Sequence, residues 1–126
     1  MPAAPPWIIA LRILAAAAFV YMGILHFLHL DFFRRIVPPI FPAPALLVMI
    51  SGVCEVAGGL GLLIPRLRAA AGWGLIALLI AVFPANIYMA IHPDAVAGFH
   101  VSPCLLWLRL PLQAVFVYLV YLVAGK

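Results

Sequence analysis

A chain of 126 residues in which 69% are hydrophobic and only 8% charged is not a water-soluble domain, since soluble domains carry about one quarter charged residues. The net charge of +4 is spread thinly, with no run of Lys or Arg interleaved with aromatics, so nucleic acid is excluded as a partner and the lipid bilayer is the expected one. At about 20 residues per crossing of a hydrocarbon core about 30 Å thick, the length suffices for four spans and short links, with no room for a separate globular enzyme domain.

The first span is expected over about residues 7–30. Pro5 and Pro6 suit a helix start, where a missing N–H leaves nothing unpaired. The residues before Trp7 lack the basic region of a secretory signal, and the apolar stretch that follows is too long for one, so this segment reads as a retained span. Asp31, Arg34 and Arg35 then alternate with Phe32, Phe33 and Ile36 ahead of three prolines, which predicts a short interfacial turn followed by an irregular link.

Spans two and three are expected over 44–64 and 69–91, and the four residues between them force an antiparallel return. In span three Gly74, Ala77, Ala81 and Ala85 recur at steps of three or four, the pattern of a close helix-packing seam. A second long link carries Pro93, Gly98 and Pro103, with Ser102 and Pro103 placed to cap and open span four over 103–123. The chain is thus read as one membrane domain, an all-α antiparallel bundle of four transmembrane helices. Arg12, Arg66, Arg68 and Lys126 fall on the side of the termini against Arg34, Arg35 and Arg109 on the side of the long links, which favours cytoplasmic termini. Cys54 and Cys104 form no CxxC pair and sit at depths about 15 Å apart, so no disulfide is expected between them.

Each span carries polar groups, of which the ionisable ones cost about 2.5–3.5 kcal/mol apiece if left in lipid, and these groups are the candidate site residues. His26, Asn86 and Arg109 lie about 6–8 Å from the link-side ends, Gln113 about 12 Å and Glu55 about 16 Å. Ser51, Glu55 and Gly59 share a face of span two, and Arg109 and Gln113 share one of span four. Glu55 and Arg109 are the expected intramembrane ion pair, the alternative being a carboxyl carried neutral. The same polar layer could serve as a staple that fixes helix register or as a ligand pocket. Pro84 frees the carbonyl of Ile80 and Pro111 that of Trp107, so both helices are expected to bend beside this layer, as helices bordering cavities do.

A metal or haem site would have to come from His26, His29, His92 and His100, which fall near one membrane face. No HxxxH or CxxC spacing supports it, and none is expected. Gly58, Gly59 and Gly61 sit inside an apolar span and make no phosphate loop, and Cys54 has no basic neighbour in sequence to activate it.

The motifs HFLHLDFF over His26–Phe33, Val37-Pro38-Pro39, Ser51-Gly52-Val53-Cys54-Glu55 leading to Leu63-Ile64-Pro65-Arg66, Phe83-Pro84-Ala85-Asn86-Ile87-Tyr88-Met89 and Arg109-Leu110-Pro111-Leu112-Gln113 together resemble the DoxX family of small four-helix membrane proteins. The resemblance covers nearly the whole chain and rests on the polar residues that membrane physics singles out. Relatives in that family are associated with quinone-linked sulfur oxidation, thiol and superoxide redox complexes, amine-dehydrogenase maturation and, more distantly, receptor assembly. The resemblance implies a redox-associated subunit of a bacterial inner membrane, not catalytic alone. It would bind a quinone or other small apolar ligand among His26, Ser51, Glu55, Asn86, Arg109 and Gln113, and would work with a redox protein or as a homo-oligomer. In that reading Arg109 holds a carbonyl or acidic head and Glu55 handles a proton. An assembly or scaffold protein whose polar layer only fixes the bundle is the contrasting expectation, and transport of a small solute a third.

Overall fold

A computed structural model describes residues 4–96 and 102–125. Four helices are long and apolar enough to cross a membrane: α1 (Pro6–Leu28), α3 (Pro44–Leu63), α4 (Arg68–Ile91) and α5 (Pro103–Ala124). The shortest has 20 residues, about 30 Å at 1.5 Å per residue, which matches the hydrocarbon thickness. Large apolar side chains such as Ile13, Leu14, Ile80 and Leu108 are exposed along their outer faces, a surface suited to lipid and not to water. The protein is an integral membrane protein with an all-α four-helix bundle.

Helix ends follow the sequence closely. Pro stands in the first turn of α1, α3 and α5, where its missing N–H costs no hydrogen bond. Span one is shorter than expected, because the chain turns at His29 (φ −120°, ψ 45°) and restarts as the short helix α2 (Leu30–Arg35), against which an exposed Arg34–Asp31 pair at 2.9 Å adds little. Ala43 adopts φ 48°, a left-handed conformation unusual for a residue with a Cβ, and delivers the chain into Pro44. Ser102 precedes the first residue of α5 as expected, but its hydroxyl makes no capping hydrogen bond.

Contacts run antiparallel around the bundle in the order α1, α3, α4, α5, and α1 also meets α5. The tightest approach joins α1 to α3. A Cβ built on Gly23 would lie 2.6 Å from the Gly52 carbonyl oxygen, one on Gly52 2.9 Å from that of Gly23, and one on Gly59 2.9 Å from that of Ala16. Gly58 and Gly61 receive Leu75 and Ala71 of α4, and Gly72 of α4 receives Ala124 of α5.

The small-residue seam expected on α4 is not a packing seam. A Cβ at Gly74 would meet nothing within 4 Å, Ala77 and Ala81 are exposed, and of the four only Ala85, which with Ala81 borders a cavity, packs against a buried cluster. Periodicity placed these residues on one face but could not say what that face meets; the helices approach through the glycines of α1 and α3 instead.

Two apolar clusters close the ends of the bundle. Ala16, Phe19, Leu62, Leu75, Ile76, Leu79, Val120 and Val123 fill the half nearest the termini, while Ile36, Met89, Ala90, Val96 and Leu106 pack beneath the long links. Adding bulk at Gly52 should therefore cost about 1–3 kcal/mol as overpacking, whereas the same change at Gly74 should fall within about 0.5 kcal/mol of neutral. Thermal midpoints of Gly52→Val and Gly74→Val in detergent check this ordering; equal losses would contradict it.

Candidate functional site

Between the two clusters lies a cavity of about 440 Å³. Its wall is predominantly apolar, but all six sequence-predicted residues border it: His26 from α1, Ser51 and Glu55 from α3, Asn86 from α4, and Arg109 and Gln113 from α5. Phe33, Ile36, Val37, Pro38 and Phe41, from α2 and the link after it, complete the wall on the link side. The segment expected to lie at the interface folds over the cavity instead.

The α1–α3 glycine contact sets the first polar pair. Gly23 and His26 are three residues apart on α1, as are Gly52 and Glu55 on α3, so closing the helices on the glycines brings the imidazole and the carboxylate together. His26 Nδ1 lies 3.2 Å from Glu55 Oε2 and 2.7 Å from the carbonyl oxygen of Met22. A carbonyl only accepts, so Nδ1 must carry the proton, and it donates to Met22. Glu55 Oε2 is left buried without a hydrogen bond, as is Ser51 Oγ one turn away. The His26 ring stacks on Phe33, with centroids 4.2 Å apart and planes at 12°, which ties α2 to the site.

A second polar pair joins α4 to α5. Asn86 Nδ2 donates to Gln113 Oε1, and Gln113 Nε2 donates to the carbonyl of Leu79 at 2.7 Å. That carbonyl is the one before Ile80, whose own partner Pro84 removes. Both helices nevertheless run through their prolines without a break.

The expected Glu55–Arg109 ion pair is not formed. Both residues face the cavity, but among the described residues Glu55 has its ion-pair contact with His26, while Arg109 makes no hydrogen bond or salt bridge. Arg109 enters α5 nearer the link side, and the depth difference read from the sequence, about 10 Å, is more than its side chain spans across an open cavity.

Nor do the histidines gather. His26 is buried and turned inward, His29 sits exposed at the break between α1 and α2, and His92 is exposed beside Tyr88, with ring centroids 4.7 Å apart. His100 lies outside the described residues. Among the described residues no three of His, Cys, Asp or Glu come together in a metal-holding group. Cys54 and Cys104 are free and exposed.

Arg12, whose place in the sequence marks it only as an orienting charge, has a structural role of its own. Arg12 is 6% exposed, inside the bundle, and its Nε donates to the carbonyl of Val123 at 3.0 Å. Arg68 Nε likewise donates to the carbonyl of Leu62 at 2.8 Å. Each cation meets the last turn of a neighbouring helix, where carbonyls lack intrahelical partners and the dipole is negative. The signal was available, since Arg12 lies within a span and obeys the same cost rule as Glu55.

The family described as domain of unknown function DUF8561 matches residues 15–124, and the chain belongs to that family. No curated protein and no solved structure matches the chain.

A double-mutant cycle on His26→Gln and Glu55→Gln should show coupling above about 0.5 kcal/mol, as residues in contact do, whereas Glu55→Gln with Arg109→Gln should be additive within about 0.5 kcal/mol. Thermal midpoints in detergent report both cycles, and strong coupling confined to Glu55 and Arg109 would reverse the assignment.

Proposed function

We propose that the protein is a DoxX-like membrane subunit associated with redox chemistry, which binds a quinone or another small apolar ligand in the cavity and does not catalyse a reaction alone. The observation that carries this reading is the convergence of six polar residues from four helices on one predominantly apolar cavity of about 440 Å³, within the range of small-molecule sites. The DoxX resemblance supports the redox association. Arg109, with no hydrogen bond or salt bridge among the described residues, offers a carbonyl or anionic head its donors. Ser51 Oγ and Glu55 Oε2, the latter beside the His26 imidazole, are buried without a hydrogen bond and can accept one from a ligand.

A non-catalytic scaffold is favoured by one specific observation, the Asn86–Gln113–Leu79 chain, which spends its hydrogen bonds between helices. In the ligand reading those two residues hold α4 to α5, and Ser51, Glu55 and Arg109 meet the ligand. Equilibrium binding of decylubiquinone to the purified protein in nanodiscs separates the two. Saturable binding that weakens at least tenfold, about 1.4 kcal/mol, in Arg109→Gln and Glu55→Gln is expected. Absence of saturable binding would favour the scaffold.

For localisation we propose a bacterial plasma membrane with both termini in the cytoplasm, on the arginine balance above. With the native cysteines replaced, Asp94→Cys should react with an impermeant maleimide in intact cells and Leu67→Cys should not. The opposite pattern would invert the topology.

A further inference from the structure

We infer that the cavity selects an occupant that donates a hydrogen bond: among small apolar molecules a hydroxylated one, and of a quinone couple the reduced, quinol form. This rests on reading the cavity as a ligand site and specifies the head that the site takes.

Each polar group bordering the cavity can donate or accept only a set number of hydrogen bonds, and much of that capacity is already used. Asn86 Nδ2 donates to Gln113 Oε1 and Gln113 Nε2 to the Leu79 carbonyl, so the two amides are turned on each other and on the backbone. His26 gives its Nδ1 proton to the Met22 carbonyl, and a neutral imidazole protonated there has only a lone pair at Nε2. Glu55 Oε2 lies 3.2 Å from that same protonated nitrogen. Its neighbour is a donor and not an acceptor, so a proton on Oε2 would find nothing to receive it, and the oxygen stands as an acceptor. Ser51 Oγ, one turn away, is also without a hydrogen bond.

Arg109 supplies the opposite chemistry. Its guanidinium carries N–H donors and no lone pair, and it borders the cavity from α5 with no hydrogen bond or salt bridge among the described residues. The polar lining is thus divided between lone pairs on α1 and α3 and donors on α5. A quinone or simple ketone carries acceptors alone, so it suits Arg109 but sets lone pair against lone pair at Glu55. A molecule with a hydroxyl at one end and an oxygen at the other suits both: the O–H donates to Glu55, and the second oxygen accepts from Arg109. Ser51 can donate or accept, so the selection falls to Glu55. A site that hydrogen-bonds a ligand's hydroxyl rejects the analogue lacking it more strongly than an apolar pocket discriminates by size, because its polar groups are then left unpaired.

The test uses the intact protein in nanodiscs and two probes that undergo no redox chemistry in the assay, 4-heptyloxyphenol and its methyl ether, 1-heptyloxy-4-methoxybenzene. Both keep an oxygen for Arg109, and only the phenol has a donor. Equilibrium dialysis, with uptake by empty nanodiscs subtracted, should show the phenol bound about tenfold or more tightly than the ether. Glu55→Gln, whose amide offers an N–H as well as a carbonyl, should bring the two affinities within about twofold of each other. Arg109→Gln should weaken both and leave their ratio unchanged, with circular dichroism and gel filtration confirming that each variant is folded. Equal affinities in the unaltered protein, a comparison that needs no variant, would overturn the selection and leave the pocket standing. A ratio that persists in folded Glu55→Gln would assign the ether's penalty to the bulk of its methyl group, and would overturn it too. Binding of decylubiquinone without binding of the phenol would do the same. No saturable binding of the phenol, the ether or decylubiquinone would remove the ligand reading itself, and this inference with it.

Discussion

The contact between Gly23 and Gly52 is the constraint on which the rest of the bundle depends. In a bilayer no hydrophobic force draws helices together, because the tails are as apolar as the side chains, so association relies on close van der Waals packing and hydrogen bonds. Glycine at both positions lets two backbones approach to distances that any Cβ would forbid. Gly59 against Ala16 repeats the approach two turns deeper, so α1 and α3 form one rigid pair. Three residues from the crossing on each helix stand His26 and Glu55, and their 3.2 Å separation follows from the glycine contact. Widening that contact would separate the only buried carboxylate among the described residues from its imidazole.

The other half of the bundle is held by different means. Gly72 admits Ala124 near the termini, but toward the links α4 and α5 are joined by Asn86, Gln113 and the Leu79 carbonyl. Two pairs of helices, one locked by glycines and the other by amides, meet fully only at the end filled by Phe19, Leu62, Leu75 and Val123. Toward the links the pairs diverge, and the cavity lies in the space between them. The segment after α1 closes that space because Phe33 stacks on His26 and Ile36 buries itself against Met89 and Ala90.

Much of this was legible in the sequence, for reasons that are local. Spans are set by length and hydropathy, and their ends by Pro6, Pro44 and Pro103, so their limits were placed within about two residues. The members of the polar layer were legible because a charge in lipid is costly whatever surrounds it, which singled out the six residues that border the cavity. Pairing was not legible. It depends on helix rotation and approach, and these are set by which small residues find a partner helix. The stripe from Gly74 to Ala85 and the set Gly23, Gly52 and Gly59 look alike along the chain, yet the second meets another helix closely while Gly74, Ala77 and Ala81 of the first are exposed. The expected partner of Glu55 was therefore Arg109, the ionisable group of opposite charge on another span, and its actual neighbour is His26, across the glycine crossing. Arg12 escaped because a cation near a helix start reads as topology, while its use as a cap for α5 appears only once α5 is placed beside it.

An unpaired oxygen buried among helices is an expensive feature to keep, worth about 1–3 kcal/mol even for a neutral group. Elsewhere Gln113 uses both ends of its amide, and Arg12 and Arg68 each donate through Nε to a carbonyl of a neighbouring helix end, although Arg12 Nη2 is itself left buried without a hydrogen bond. Ser51 Oγ and Glu55 Oε2 are not satisfied in this way, and they border the same cavity as Arg109. A layer serving only as a staple would gain stability from closing these bonds or from replacing the groups by apolar ones of similar volume. A ligand that supplied the missing partners would stabilise the folded state by mass action, and the rigid glycine-locked pair would hold the two oxygens in place for it. Two of the three buried side-chain atoms left without a hydrogen bond among the described residues therefore lie on the wall that a ligand would touch, the third being Arg12 Nη2 at the end nearest the termini.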